Sequence, residues 1–192
     1  MLSICLILIV GILYCSAYDN LSRRKYTNQH RHWTCVPSSC QQYASHNAID
    51  ENTNTCTRTD TIMAYAGSYT WWYVDFGEVK SISYIRIKFK SYSGHEIRQR
   101  GRFAGFSLYL SNTTDKEDGY RCYIDGPELP PLDFNTTCIG HARYVIYYNE
   151  RLPEGQYLEG YADGYPEGFQ LSSITELCDV DVQGNYELII LF

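Results

Sequence analysis

Three short stretches hold the residues able to do chemistry. The first is Gly94 to Arg102, Gly-His-Glu-Ile-Arg-Gln-Arg-Gly-Arg, where Arg98, Arg100 and Arg102 crowd beside His95 in an acidic chain. A guanidinium fork donates in-plane hydrogen bonds to paired hydroxyls or to a carboxylate. A shallow sugar site needs such donors and a flat apolar surface for the C–H faces of the ring. The plainer reading of the same stretch is a solvated β-hairpin loop that pairs with nearby Glu and Asp. The second stretch is Asn47-Ala48-Ile49-Asp50-Glu51-Asn52, with Thr55 and Cys56 close behind. It offers hard oxygens, which Ca2+ gathers in a curled loop, although Asx-rich turns also form without a metal. The third is His30, His32, Cys35 and Cys40. Imidazole and thiolate bind zinc, but the spacing lacks a zinc-finger pattern. A local Cys35–Cys40 disulfide with both histidines exposed is the alternative.

Catalytic arrangements are scarce. There is no Gly-x-Ser-x-Gly elbow, His-Glu-x-x-His helix or phosphate-binding loop. The carboxylates are scattered, so the chain is not expected to be an enzyme and no catalytic residue is assigned. Sixteen Lys+Arg against 22 Asp+Glu give a net charge of −6, which excludes a broad nucleic-acid surface. Apolar residues make up 44% of 192 residues, enough for one packed domain.

The eight cysteines depend on the compartment. Leu2 to Leu13 is an apolar run of about a dozen residues, too short for a membrane span and of the length of a secretory h-region. Cys15-Ser16-Ala17 supplies small residues at a cleavage spacing, and polar Tyr18-Asp19-Asn20 follows. Residues 1–17 are therefore expected to be a signal peptide, with a buried N-terminal strand as the alternative. Removing them takes Cys5 and Cys15 and leaves Cys35, Cys40, Cys56, Cys122, Cys138 and Cys178. An even number in a secreted chain reads as a disulfide framework whose pairing is open at this point. The sequons at Asn20, Asn112 and Asn135 agree with an extracellular location.

The elements that must position these groups read as strands, with no long helix. Trp72, Val74 and Phe76 alternate up to Gly77; Ile85, Ile87 and Phe89 alternate with basic residues; Phe106, Leu108 and Leu110 form a third stripe. Tyr144 to Tyr148 is β-branched and aromatic, and Leu177 to Val182 alternates again before Gly184. Asp125 to Cys138 and Leu152 to Ser173 read as the longest loops. Asp19 to Gln29, with Arg23-Arg24-Lys25, reads as an exposed lead-in. The expected fold is an all-β sandwich or jelly roll with long loops. The expected layout is a signal peptide at 1–17, a lead-in with a local disulfide at 18–42, the domain at 43–184 and a short tail at 185–192.

Six motifs in register then carry a resemblance: Asn-Ala-Ile-Asp (47–50), Thr-Trp-Trp-Tyr-Val-Asp-Phe-Gly (70–77), Ile-Arg-Ile (85–87), the run from Arg102 to Asn112, the run from Arg143 to Arg151, and Glu-Leu-Cys-Asp-Val-Asp-Val (176–182). Together they resemble the F-type lectin (fucolectin) family of galactose-binding-like domains, a β-sandwich jelly roll, as found at the N-terminus of secreted or EGF-repeat proteins of the mollusc type. The resemblance implies disulfides Cys56–Cys178 and Cys122–Cys138, with Cys35–Cys40 as a local addition. It implies a structural Ca2+ held by Asn47, Asp50, Asn52, Thr55, the Cys178 carbonyl and Asp179. Thr55 and Asp179 depart from the family's usual small residue and Glu but keep oxygen ligands. For the sugar site, the family's His two residues after the first cysteine is Arg58 here. Arg102 matches the second basic residue, and the family's Arg-Gly-Asp is replaced by the longer stretch His95 to Arg100.

The function implied is a secreted, calcium-stabilised glycan-binding domain in innate immunity or adhesion, with Arg58, His95, Arg98, Arg100 and Arg102 as ligand residues. Its partners would be glycans or glycoproteins, and self-association is left open. The rival is a sugar-inactive ectodomain module of an EGF-repeat receptor that contacts proteins.

Overall fold

The computed structural model describes residues 3–8, 12–30, 40–59, 69–126, 128–150 and 173–191. Among them are strands β1 (Ser3–Leu8), β2 (Ile12–Asn20), β3 (Tyr26–Gln29), β4 (Tyr69–Phe89), β5 (Phe106–Ser111), β6 (Tyr120–Ile124), β7 (Asp133–Glu150) and β8 (Leu177–Leu191), and one α-helix, α1 (Glu96–Phe103). The strands form an eight-stranded antiparallel network in the order β1-β2-β8-β4-β7-β5-β6, with β3 on the other edge of β4. The fold is all-β, as the alternating stripes require.

Two long strands build both layers. The first half of β4 pairs with β3 and with residues 144–150 of β7; the second half pairs with β8 and with residues 133–142 of β7. The break lies at register shifts between Asp75 and Lys80 and between Ile82 and Tyr84. Gly77 sits there at φ +82°, a conformation open to glycine at little cost. The shifts also change the phase of burial. Trp72, Val74, Phe76 and Ile82 point inward before the second shift, and Ile85, Ile87 and Phe89 after it. An extra residue in one strand turns the side-chain alternation over, so both halves of a bent strand face one core. The separate strands expected at 70–76 and 85–89 are thus one element of 21 residues.

That core runs from Trp72 and Val74 through Ile85, Phe106, Leu108, Val145 and Tyr147 to Leu177, Val180 and Val182. Trp72 donates its indole N–H to the Ser45 carbonyl at 2.9 Å, which satisfies the polar atom that burial would otherwise orphan. Disulfide Cys122–Cys138 joins β6 to the first half of β7.

Four expectations need correction. Residues 133–138, read as loop, are strand, because Phe134 and Cys138 turn inward while Asn135 and Thr137 face out. The supposed lead-in is built into the fold: Leu21 and Ser22 are buried, Ser22 Oγ donates to Val180 O at 2.7 Å, and β3 pairs with β4. Residues 185–191, expected as a tail, continue β8 and pair with β2. Residues 96–103, expected as loop, form α1. The apolar N-terminal run supplies backbone to β1 and β2 at the sheet edge. The loop expected at Leu152 to Ser173 lies, apart from Ser173, outside the described residues.

Candidate functional site

The arginine site forms where segment 56–59 runs antiparallel to 175–178. Thr57 N donates to Leu177 O at 2.8 Å, Thr59 N donates to Thr175 O at 3.1 Å, and Cys56–Cys178 closes the pair. This register sets Arg58 opposite Glu176. Glu176 is 2% exposed, and its carboxylate sits between two guanidinium groups: Arg58 Nε lies 3.6 Å from Oε1 and Arg102 Nη1 lies 3.3 Å from Oε2. Tyr92 donates its hydroxyl to Oε1 at 3.3 Å. Burial, and then the Glu176 charge, raises the Tyr92 pKa above the ordinary phenol value. A buried carboxylate needs paired donors of this kind. Arg58 also lies over the Tyr43 ring at 5.8 Å.

Helix α1 sorts the basic cluster. At about 100° per residue, positions four apart share a face and positions two apart do not. His95, Arg98, Gln99 and Arg102 accordingly line, with Tyr92, a cavity of about 180 Å³. Gln99 accepts from Arg102 Nη1 at 3.2 Å. Arg98, His95 and Tyr92 are exposed at its mouth. Arg100 points the other way and donates to Leu129 O at 2.6 Å and Pro130 O at 3.0 Å. It ties the helix to a neighbouring segment and does not join the other four arginine-site candidates. Asn149, fully buried on β7, donates to Phe103 O at 3.0 Å and Ala104 O at 3.2 Å and pins the helix end. Glu176 was not assigned from the sequence. The signal was there: it stands two residues before Cys178 as Arg58 stands two after Cys56, so an antiparallel bridge must bring them together.

The oxygen-rich loop folds on itself. Asp50 accepts from Asn52 N at 2.9 Å and from Thr55 Oγ1 at 2.6 Å, with Glu51 at φ +64° in the turn. Asn47 is buried and donates its amide to Gln42 O at 2.8 Å and Cys56 O at 3.2 Å. The disulfide holds Cys178 and Asp179 against this loop. Asp179 has its pKa raised, by burial first, then by Asp181, with Asp50 adding to it. Among the described residues no group of three or more His, Cys, Asp or Glu converges on a metal position. The six candidates include only two carboxylates; the rest are amide, hydroxyl and carbonyl oxygens, a donor set suited to a hard cation.

The remaining candidates disperse. His30 is half-buried and stacks on Tyr69 at 5.0 Å, so it is not the exposed histidine expected. His32 and Cys35 lie outside the described residues, and with them the Cys35–Cys40 pairing. Asn112 is exposed in the turn after β5, whereas Asn135 is exposed in mid-strand on β7 and not in a loop. Asn20 is half-buried, and its amide oxygen accepts from Ser22 N at 2.9 Å.

A bent all-β sandwich with a polar cavity at its loop end defines a galactose-binding-like domain. Residues 47–145 match the family model described as NedA-like, galactose-binding domain, and the chain belongs to that family. No curated protein matches the chain. Among solved structures, the fold is similar to a fucolectin from striped bass (Morone saxatilis) serum, at TM-score 0.60 and 21% identity over 88% of this chain and 49% of that one. It is similar to chitosan-binding module 1 of a chitosanase/glucanase from Paenibacillus sp. IK-5, at TM-score 0.55 and 13% identity over 86% and 99% of the two chains. The lectin domain of lectinolysin, solved with Lewis B antigen, gives TM-score 0.55 and 17% identity over 85% and 95%. The chain spans about half the length of the striped bass protein. These likenesses agree with the fold read from the six motifs, and the family model agrees with its galactose-binding-like class.

Proposed function

We propose that the chain is a secreted, calcium-stabilised glycan-binding domain whose ligand enters the cavity of Tyr92, His95, Arg98, Gln99 and Arg102. The carrying observation is the carboxylate of Glu176, which fixes Arg58 and Arg102 from beneath while Arg98, His95 and the Tyr92 ring stand exposed above. Fixed guanidinium groups beside a ring face supply what a sugar requires: in-plane donors for hydroxyls and a surface for C–H groups. The basic rim also suits an acidic sugar. Similarity to lectin domains that bind fucosylated or Lewis-type glycans supports the class of ligand, and the altered cluster around Arg58 argues for a different sugar. Ca2+ would be held by Asn47, Asp50, Asn52, Thr55, the Cys178 carbonyl and Asp179; bound there, it would offset the Asp50 and Asp179 charges beside the arginine site.

A glycan array of the refolded chain in Ca2+ tests this. Capture of a defined set of glycans is expected, reduced at least tenfold by Arg98→Ala and abolished by Arg102→Ala. Unchanged capture in both variants, or no capture of neutral and acidic glycans, sinks the lectin reading. A second reading is favoured by the engagement of both Arg58 and Arg102 with Glu176, as in a purely structural ion cluster. It is a sugar-inactive ectodomain module that contacts proteins, and an empty array together with an intact fold would support it.

A further inference from the structure

The outer face of the sheet made by β3, β4, β7 and β5 carries a second site. On this face Trp71 lies opposite Tyr148, and Tyr73 lies between Asn28 and Ile146. The alternate residues, Trp72 and Tyr147, belong to the core, so the strand period directs this aromatic row outward. The rings pack on one another, with Tyr73 and Ile146 buried as a floor, Trp71 half-buried above them and Tyr69 exposed. Trp71 and Tyr73 stack at 5.5 Å with 10° between planes, and Tyr69 and Tyr148 stack at 5.7 Å with 19°. The turn after β5 brings Thr114, Asp115 and Lys116 beside the row, and the open groove between them is about 570 Å³. That volume is in the range of about 300–1,000 Å³ typical of ligand sites. None of its lining residues belongs to the arginine cavity.

The charges select the occupant. The Lys116 ammonium lies 4.6 Å from the centre of the Tyr148 ring and 5.6 Å from that of Tyr109, and it pairs with Glu117. Asp115 adds a carboxylate to the rim, and Glu150 interacts with the Tyr148 hydroxyl. Of these carboxylates only Asp115 lines the groove, beside Lys116, whose charge Glu117 offsets, so the groove has no cationic cluster to recruit an anion and suits a neutral group. The apolar ring surface suits the C–H groups of a pyranose, and Asn28 and Thr114 offer partners for its hydroxyls at the edge. A groove lying along a sheet face fits a linear chain better than a branched tip.

We propose that this groove is a second glycan site, taking a linear, non-acidic oligosaccharide across Tyr69, Trp71 and Tyr148, with Tyr73 and Ile146 as its buried floor. It is independent of the arginine cavity and lacks its arginine cluster. The test titrates the full chain with a neutral β-1,4-linked glucose hexamer, the corresponding glucosamine hexamer and a heparin hexamer, following tryptophan fluorescence and its iodide quenching. The neutral or amino hexamer is expected to bind and to shield Trp71, the heparin hexamer to leave it unshielded. Tyr69→Ala and Trp71→Ala are each expected to weaken binding at least tenfold. Tyr69 is 46% exposed, so its truncation leaves the core intact, and a thermal melt checks that both variants fold. The proposal is overturned if neither non-acidic hexamer binds, if binding survives in both variants, if heparin binds best, or if sedimentation shows a second copy of the chain covering the face. Because the two sites share no residue, the Arg98→Ala array result stands apart from this one.

Discussion

Glu176 and Asp125 show how single carboxylates act in this fold. Glu176 is buried between the Arg58 and Arg102 guanidinium groups and accepts from the Tyr92 hydroxyl, so its charge holds the arginine site in shape. Asp125 accepts from Gly105 N at 2.8 Å and Tyr123 Oη at 3.1 Å, but burial dominates and moves its pKa from 3.8 to about 6. A folded-state pKa above the unfolded one means that the folded state binds the proton more tightly. Stability from this group is therefore fully present below pH 3.8 and is lost as pH rises to about 6. The loss is on the order of 1–3 kcal/mol. Asp125→Asn is expected to remove this downward component from a plot of unfolding free energy against pH between 4 and 7. An identical slope in the variant would show that Asp125 does not carry it.

The elements decide which residues act together. Arg98, Arg100 and Arg102 would share one face of a strand; on α1 they divide, and only Arg98 and Arg102 reach the cavity. Periodicity did not announce the helix, because its buried residues are Gln99, Gly101 and Phe103, a weak apolar stripe. The Ile85–Phe89 stripe was legible because it has one wet face and one dry face, and the Phe106–Leu110 stripe because apolar residues alternate with polar ones, although Ser107 and Ser111 are buried as well. The continuity of β4 was not, since bulges that reverse the alternation look in sequence like a strand end. The loop of residues 47–55 is held by its own Asx and hydroxyl bonds and by Cys56. If Ca2+ binds there at about a hundredfold above its dissociation constant, mass action adds roughly 2.7 kcal/mol. Thermal melts with sub-millimolar Ca2+ and with EGTA are expected to differ in midpoint by at least about 4 °C. Coincident melts would count against the metal.

At the scale of the molecule, β4 and β7 are continuous through both layers, and among the described residues two disulfides close the sandwich. Cys56 and Cys178 are 122 residues apart, and closing such a loop removes about 4–5 kcal/mol of chain entropy from the unfolded state. The same bridge sets the register of Arg58 and Glu176, so one covalent link serves stability and site geometry. β1 and β2 lie at the edge beyond β8. Cleavage after Ala17 would leave the β8-β4-β7-β5 pairing and the Leu21 N to Val182 O bond of 2.7 Å in place. N-terminal sequencing of the chain exported from a eukaryotic host is expected to begin at Tyr18. A product that retains residues 1–17 would instead keep β1 and β2 as working strands.

By itself the sequence determined the all-β class, most of the inward stripes, the two disulfides through six motifs in register, and the family. These depend on local alternation and on residue identity, which the chain displays directly. The burial of residues 21–29, the helix that separates Arg100 from its neighbours, the pairing of Glu176 with Arg58 and Arg102, and the aromatic groove were decided by tertiary structure alone. Each is a contact between residues distant in the chain or a phase set by a bulge. Tyr69, Trp71, Tyr73 and Tyr148 read in sequence as ordinary strand residues, and only the packing of Trp72 and Tyr147 on the other face turns them into a surface.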